Sequence, residues 1–441
     1  MALTRRGMLL RTSIAVGSAV LAACGAENAG SSQPDAKSAA PVTISFAAHG
    51  DASWQEVWNK IVVRFNQQHA PKITAQFFSS EGDQWNKYVV LMTSGEMWDV
   101  FRMEDKRLPG FAKNKSVLDI TSVAAKDKDT KKDDFPQSIW DEFFYEGKQY
   151  AFGHDLSPAV IFYNRKLFKE KGITLPPTTW GDKSWTWDRY LDTLRKLTLD
   201  GPAGKTYGVY NNTWWVYQHP FVWAEGGSII SKDSKQVVFD PAAIDAMQRN
   251  ADVINQQRVS PNAAELRETG GSGGQAFQRG RVAMNIDNAS YTITLRQFMQ
   301  TDPSFDWDMA PTPTGKAGAF TRVANNNVSA WSGTKSPDAA WTYLKFMASK
   351  EATVDARGIP SRLSVAALPE VTSRTPNQNW KLLAEAGKVR KSELLSPYFA
   401  KFDDQTLRPA FVEALEGKRT VREMVTDLKP KLQAILDGRD A

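Results

Sequence analysis

Residues 42–46 alternate apolar and polar side chains and are rich in β-branched residues, which predicts a first strand. Over 54–69 the apolar positions Val57, Trp58, Ile61, Val62 and Phe65 recur at helical spacing. A second strand is expected over 73–78, a second helix over 85–93 ended by Gly95, and a short third strand over 98–101. Strand–helix–strand–helix–strand predicts a parallel sheet with right-handed crossovers, in which ligands gather at the carboxyl ends of the strands. The pattern then returns in kind. Strands are expected over 150–152, 159–163, 208–210 and 282–286, extended chain over 320–331, and helices over 187–197, 241–256 and 337–348. The run Gly270 to Gly274 reads as a mobile loop; with no Lys-Ser/Thr after it and no strand directly before it, it is not a phosphate loop. Apolar residues from Val421 to Leu436 form a helical stripe interrupted at Pro430.

The chain begins differently. Residues 1–23 carry Arg5, Arg6 and Arg11 and no acid, and close on a run of small and apolar residues over 14–23. That run is shorter than the roughly 20 residues that span a bilayer, and the whole reads as an export signal. Arg5-Arg6 in its setting resembles the twin-arginine type, departing from it at Leu10 where Lys is usual; general secretion is the alternative route. Leu21-Ala22-Ala23-Cys24 resembles the bacterial lipobox. In such signals the Cys becomes the lipidated first residue, here Cys24. The Gly, Ala, Ser and Asn after it, to residue 40, read as a flexible tether. The folded body is then expected outside the cell, anchored by lipid at the outer face of the membrane.

Bulk composition narrows the function. A chain of 441 residues, 41% hydrophobic and 24% charged, suits a soluble protein of two lobes. The formal net charge is +6, but three of those positive charges lie in the leader. The remaining Lys and Arg are scattered among acids, so no nucleic acid is expected as a partner. One Cys and four well-separated His leave no spacing for a metal site, and no cofactor is expected. The 15 Trp are many, and Trp faces among polar neighbours suit sugars.

Several segments, in order, resemble the family 1 extracellular solute-binding proteins of ABC importers. They are the opening strand and helix with Arg64-Phe65-Asn66, the Gly95–Val100 element, and 147–167 with Phe162-Tyr163-Asn164. Further on come Pro176-Pro177-Thr178-Thr179-Trp180, Gly226-Gly227, Phe277 with Gly280–Met284, and Gly358-Ile359-Pro360-Ser361-Arg362. The resemblance implies an α/β, two-lobed periplasmic-binding-protein-like fold with hinge crossovers and an interlobe ligand cleft. The expected division is 41–153 plus 323–365 for lobe 1 and 154–322 plus 366–441 for lobe 2. Crossovers are expected near 152–157, 311–322 and 362–370. The implied function is capture of a small-molecule carbohydrate and its delivery to ABC permease subunits, by a monomer that closes about a hinge.

Sugar hydroxyls call for Asp, Glu, Asn and Arg, and the C–H face of a pyranose for an aromatic plate. The candidates are His49 and Asp51 after the first strand, Glu81 before Trp85, and Met103 and Glu104 beyond the third strand. Asp155 and Ser157 lie on the first crossover. Trp214 and Trp215 follow the polar turn Asn211-Asn212-Thr213, and two adjacent Trp cannot both face one core. Asp287, Asn288 and Tyr291 match the family's cleft loop, Asn326 stands in an Asn run at a crossover, and Arg362 is a candidate clamp. Asp99 is assigned to a turn and Trp223 to the core. A secreted hydrolase, a structural lipoprotein and a binder of a non-sugar solute are the alternatives. No motif singles out a catalytic pair of carboxylates, and the chain is not expected to be an enzyme.

Overall fold

The computed structural model describes residues 40–50, 52–201, 204–356, 358–374, 377–392 and 395–439. Cys24, the leader, the tether up to residue 39 and Asp51 lie outside the described residues, as does the side chain of Trp215.

Among the described residues twelve strands form: β1 Val42–Ala48, β2 Ile73–Ser79, β3 Val100–Glu104, β4 Phe144–Tyr145, β5 Lys148–Gln149, β6 Phe152–Asn164, β7 Tyr207–Tyr210, β8 Val282–Asn288, β9 Trp307–Ala310, β10 Thr321–Ala330, β11 Ile359–Pro360 and β12 Arg390–Lys391. All but the β4–β5 hairpin belong to one mixed sheet with the path β2-β1-β3-β10-β6-β8-β7. The parallel trio β2-β1-β3 is the one its sequence predicts. The middle of the sheet departs from expectation. Of the strand expected over 150–152 only Phe152 is extended, and it opens one strand of 13 residues, β6, which also takes in the strand expected over 159–163. Its first half pairs with β10 up to Pro158, and from Ala159 onward it pairs with β8 and, from Ile161, with β9. Pro158 therefore stands where the partner strand changes, a place that asks least of a residue with no N–H.

The sheet is thus shared by two halves of an α/β, two-lobed architecture. In the first half, helix α1 (Ala52–His69) and the helix Pro337–Met347 cover one face, burying Phe46, Trp58, Phe65, Val100 and Tyr343. On the other face α2 (Gln84–Ser94) and α3 (Leu108–Lys113) cover Tyr88, Phe101 and Met103. Each such fully buried side chain contributes about 1.5–3 kcal/mol. The second half packs the helix Trp187–Leu197 on one face of β6-β8-β7 and Gly273–Gln278 with Tyr291–Thr301 on the other. A helical cluster of Pro241–Asn255, Arg408–Leu415 and Val421–Leu436 completes it. Among the described residues no helix is long and apolar enough to cross a membrane.

Two local expectations are corrected. Gly273 begins a helix capped by Ser272, and a Cβ there would fall 1.9 Å from Tyr210 Cδ1, so it permits close packing rather than a mobile loop. Pro430 does not interrupt the last helix: it sits on the exposed face, where water can satisfy the carbonyl it frees, while Leu432 and Ile435 keep their packing.

Candidate functional site

β3 ends at Glu104, and the chain turns through Asp105, Lys106 and Arg107 into α3. This turn meets the other half of the molecule. Lys106 is only 1% exposed; its Nζ lies 4.7 Å from the Trp214 ring centroid and 5.0 Å from that of Phe399. It has no hydrogen-bond acceptor among the described residues, and its charge partner, Glu104 Oε2, is 3.8 Å away. The Arg107 guanidinium lies 5.0 Å from the Trp85 ring and 5.6 Å from that of Phe399, and pairs with Asp404 across the interface. Cations held against ring faces in a dry setting are attracted by the ring quadrupole, by about 2 kcal/mol.

Beside this turn lies a cavity of about 560 Å³ between α2, α3 and the segment 396–400. Trp85, Phe111, Trp331 and Phe399 give it aromatic walls, and Lys106 and Arg107 border it. Phe399 also borders a smaller cavity of about 220 Å³ with His219, Trp223 and Asp403. Trp223 is accordingly half-buried at a cavity wall, its ring 5.0 Å from His219, rather than in the core.

Trp214 is held from below. Its backbone N–H donates to Asn212 Oδ1 at 3.0 Å, and its ring meets Tyr217 edge-on at 5.6 Å. The Tyr217 hydroxyl donates to Asp287 Oδ1 at 3.0 Å, and burial beside that carboxylate pushes the phenol's pKa well up. Asp287 thus braces the Trp214 turn. The Trp214 indole N–H and Asn288 Oδ1 are buried with no hydrogen-bond partner among the described residues.

Several expected residues are engaged elsewhere. Met103 is fully buried beneath α2 and α3, because alternation along β3 sends Glu104 to the opposite face. Asp155 is buried and accepts from Asn326 Nδ2 at 2.6 Å and the Gly358 N–H at 2.9 Å, while Asn326 accepts from Arg102. Ser157 Oγ accepts from the Ser290 N–H at 3.0 Å, and the Tyr291 hydroxyl donates to Gly274 O at 2.8 Å with its ring in the core. Arg362 pairs with Asp134 at 2.6 Å in a groove with Phe135 and Trp341, apart from the Lys106 cavity. His49 and Glu81 are exposed, bonded to Ser80 O at 3.0 Å and Gln55 Nε2 at 3.2 Å, and border neither cavity. Asp99 does fix a turn, accepting from Ser45 and Thr334. Of the expected set, the structure brings Glu104 and Trp214 together at the Lys106 turn, with Asp287 behind Trp214. Sequence reasoning missed Lys106, Arg107 and Phe399; the signal for the first two was their place just past a strand's carboxyl end.

Burial works to raise the Glu104 carboxyl, but Lys106, Arg102, Arg107 and Arg322 outweigh it and hold its pKa at about 2. A folded-state value below the unfolded one adds stability above the unfolded pKa, lost as pH falls through the folded one. We expect Glu104→Gln to cost about 3 kcal/mol at neutral pH. Its deficit against the wild type should shrink between about pH 4.5 and pH 2 in urea melts. A deficit constant across that window would refute the assignment.

Residues 49–354 match the family described as bacterial extracellular solute-binding protein. A Brucella abortus protein named as a binding protein is 23% identical over 209 residues, 47% of this chain and 48% of its own. The diacetylchitobiose binding protein DasA of Streptomyces coelicolor is 23% identical over 273 residues, 60% of each chain. The chain thus spans about half the length of the curated relatives it matches. Among solved structures, an ABC substrate-binding protein from Listeria monocytogenes in complex with cycloalternan superposes with a TM-score of 0.81 at 20% identity, over 90% of this chain and 99% of that one. The GacH receptor of Streptomyces glaucescens, solved unliganded and with acarbose, gives 0.76 at 19% identity, over 90% and 99%.

Proposed function

The chain belongs to the bacterial extracellular solute-binding protein family, and from that premise we propose that it captures a carbohydrate between its two halves and delivers it to an ABC permease. The observation that carries the carbohydrate reading is the cavity beside the Lys106 turn. Four aromatic side chains offer flat apolar faces to pyranose rings, and the cations between them offer donors to oxygen. The ligands named for the similar proteins, diacetylchitobiose, cycloalternan and acarbose, support the same class. Trp214 would extend the aromatic wall from the second half, with Asp287 as the residue that positions it.

As a member of an extracellular family the protein is exported. The finer reading is a monomer tethered through a lipid on Cys24 after removal of the leader, acting by hinge closure and without catalysis. The first test is the melting temperature of the protein, unfolded and refolded to strip carried ligand, against mono- and oligosaccharides. A ligand at 100 times its Kd adds about 2.7 kcal/mol, which raises the melting temperature by a few degrees. A folded protein that shifts with no sugar but does shift with peptides or polyamines would replace this reading.

A further inference from the structure

The larger cavity has an unusual balance of charge. Lys106, Arg107 and Lys115 all line it, and among the described residues no Asp or Glu does. Arg107 already has Asp404 as its partner. Among the described residues Lys106 does not have an equivalent one: its ammonium is 1% exposed, and the nearest carboxylate oxygen stands at 3.8 Å, beyond hydrogen-bond reach. An ammonium taken out of water without acceptors is costly until something supplies them. Lys115 is exposed just beyond α3, where Lys113 adds a further cation 4.2 Å from the Tyr398 ring.

A neutral sugar presents hydroxyls, each of which donates as well as accepts. Sites for neutral sugars need acceptors, and ionised carboxylates are the strongest ones. Among the described residues this wall offers only the oxygens of Asn, Ser and Thr side chains and of the backbone. Its excess is in cationic donors. Aromatic faces for a ring, together with a buried ammonium that lacks hydrogen-bond acceptors among the described residues, describe a sugar that carries its own anion.

We propose that the solute is a carbohydrate bearing a negatively charged substituent, a carboxylate or a sulfate ester, which the cavity holds against Lys106 and Lys115. This rests on the carbohydrate reading above and deepens it. The anion would give the Lys106 ammonium the acceptors that Glu104 is too far away to provide, in charge-assisted bonds about twice as strong as neutral ones.

Matched pairs test it: oligogalacturonides against their methyl esters, and sulfated against unsulfated glycosaminoglycan disaccharides, titrated calorimetrically into the protein at low and at physiological salt. The expected result is that the charged member of one pair binds roughly tenfold or more tightly than its neutral partner. That preference should fall as salt rises, and Lys106→Met and Lys115→Met should each reduce it while the melting temperature reports an intact fold. A preference for carboxylate over sulfate, or the reverse, names the substituent. Neutral members binding as tightly as charged ones would overturn the inference and leave the carbohydrate reading standing. No binding by any member to a folded protein that does respond to a neutral sugar of the thermal panel would overturn the inference alone, and no response to any of these sugars or to that panel would overturn both.

Discussion

Gly358→Ala should destabilise the protein by roughly 2–6 kcal/mol, among the largest effects available to the addition of one methyl group. A Cβ at residue 358 would lie 2.1 Å from the carbonyl oxygen of Leu156 and 3.2 Å from the Asp155 carboxyl carbon. The first of these is backbone in the middle of β6 and cannot swing aside as a side-chain tip would. Overpacking of this kind costs about 1–3 kcal/mol. Any retreat of the chain also draws the Gly358 N–H away from Asp155 Oδ2, now at 2.9 Å, and leaves a buried carboxylate oxygen short of a donor. That adds about 1–3 kcal/mol. The control is Gly387→Ala, where the added methyl meets nothing within 4 Å. Thermal unfolding of the two variants beside the wild type decides the matter. Equal melting temperatures for both would show that the Asp155–Asn326–Gly358 contact does not constrain residue 358.

Trp214→Ala should weaken ligand binding by about 30-fold or more, the effect of losing some 2 kcal/mol from an aromatic anchor beside the Lys106 turn. The ring is braced by Tyr217 and Asp287, so little order has to be created when a ligand arrives. Its removal also strips one of the two faces that hold the Lys106 ammonium. Trp214→Phe, which keeps a smaller plate, should fall between the two. Calorimetric titration with the sugar that gives the largest thermal shift is the measurement. Wild-type affinity in a folded Trp214→Ala protein would remove Trp214 from the site.

The opening of the fold was legible because its signals are local. Alternation over 42–46 and the helical stripe over 54–69 each answer to a single core face, and β1 and α1 appear where those patterns put them. β6 was not legible as one strand. Gly153 and Pro158 look like breaks, and only the change of partner strand explains how Pro158 is tolerated. The π-helical turn Ala400–Leu407, which comes after Phe399 and carries Asp404 to the Arg107 side chain, left no periodic trace in the sequence.

At the candidate site the same division holds. Trp214 could be proposed because two adjacent Trp cannot share one core. Met103 and Glu104 could not be told apart without knowing which face of β3 meets α2 and α3. Asp155 and Asn326 have the chemistry of ligand-holding side chains and use it on each other. Composition shows what a side chain can bind and leaves open what it has already bound.

The sheet order bears on how the molecule comes into being. β3 ends at residue 104, yet its second neighbour, β10, starts at residue 321, and β10 is also the neighbour of the first half of β6. When the first half of the polypeptide leaves the ribosome, its sheet has an open flank that only much later residues can close. Pairing at such separation carries a large loop-closure cost and folds slowly. The first lobe, although its sheet is begun first, therefore waits on residues 321–347, and for much of its synthesis the nascent chain exposes the unpaired edge of β3 to whatever accompanies it.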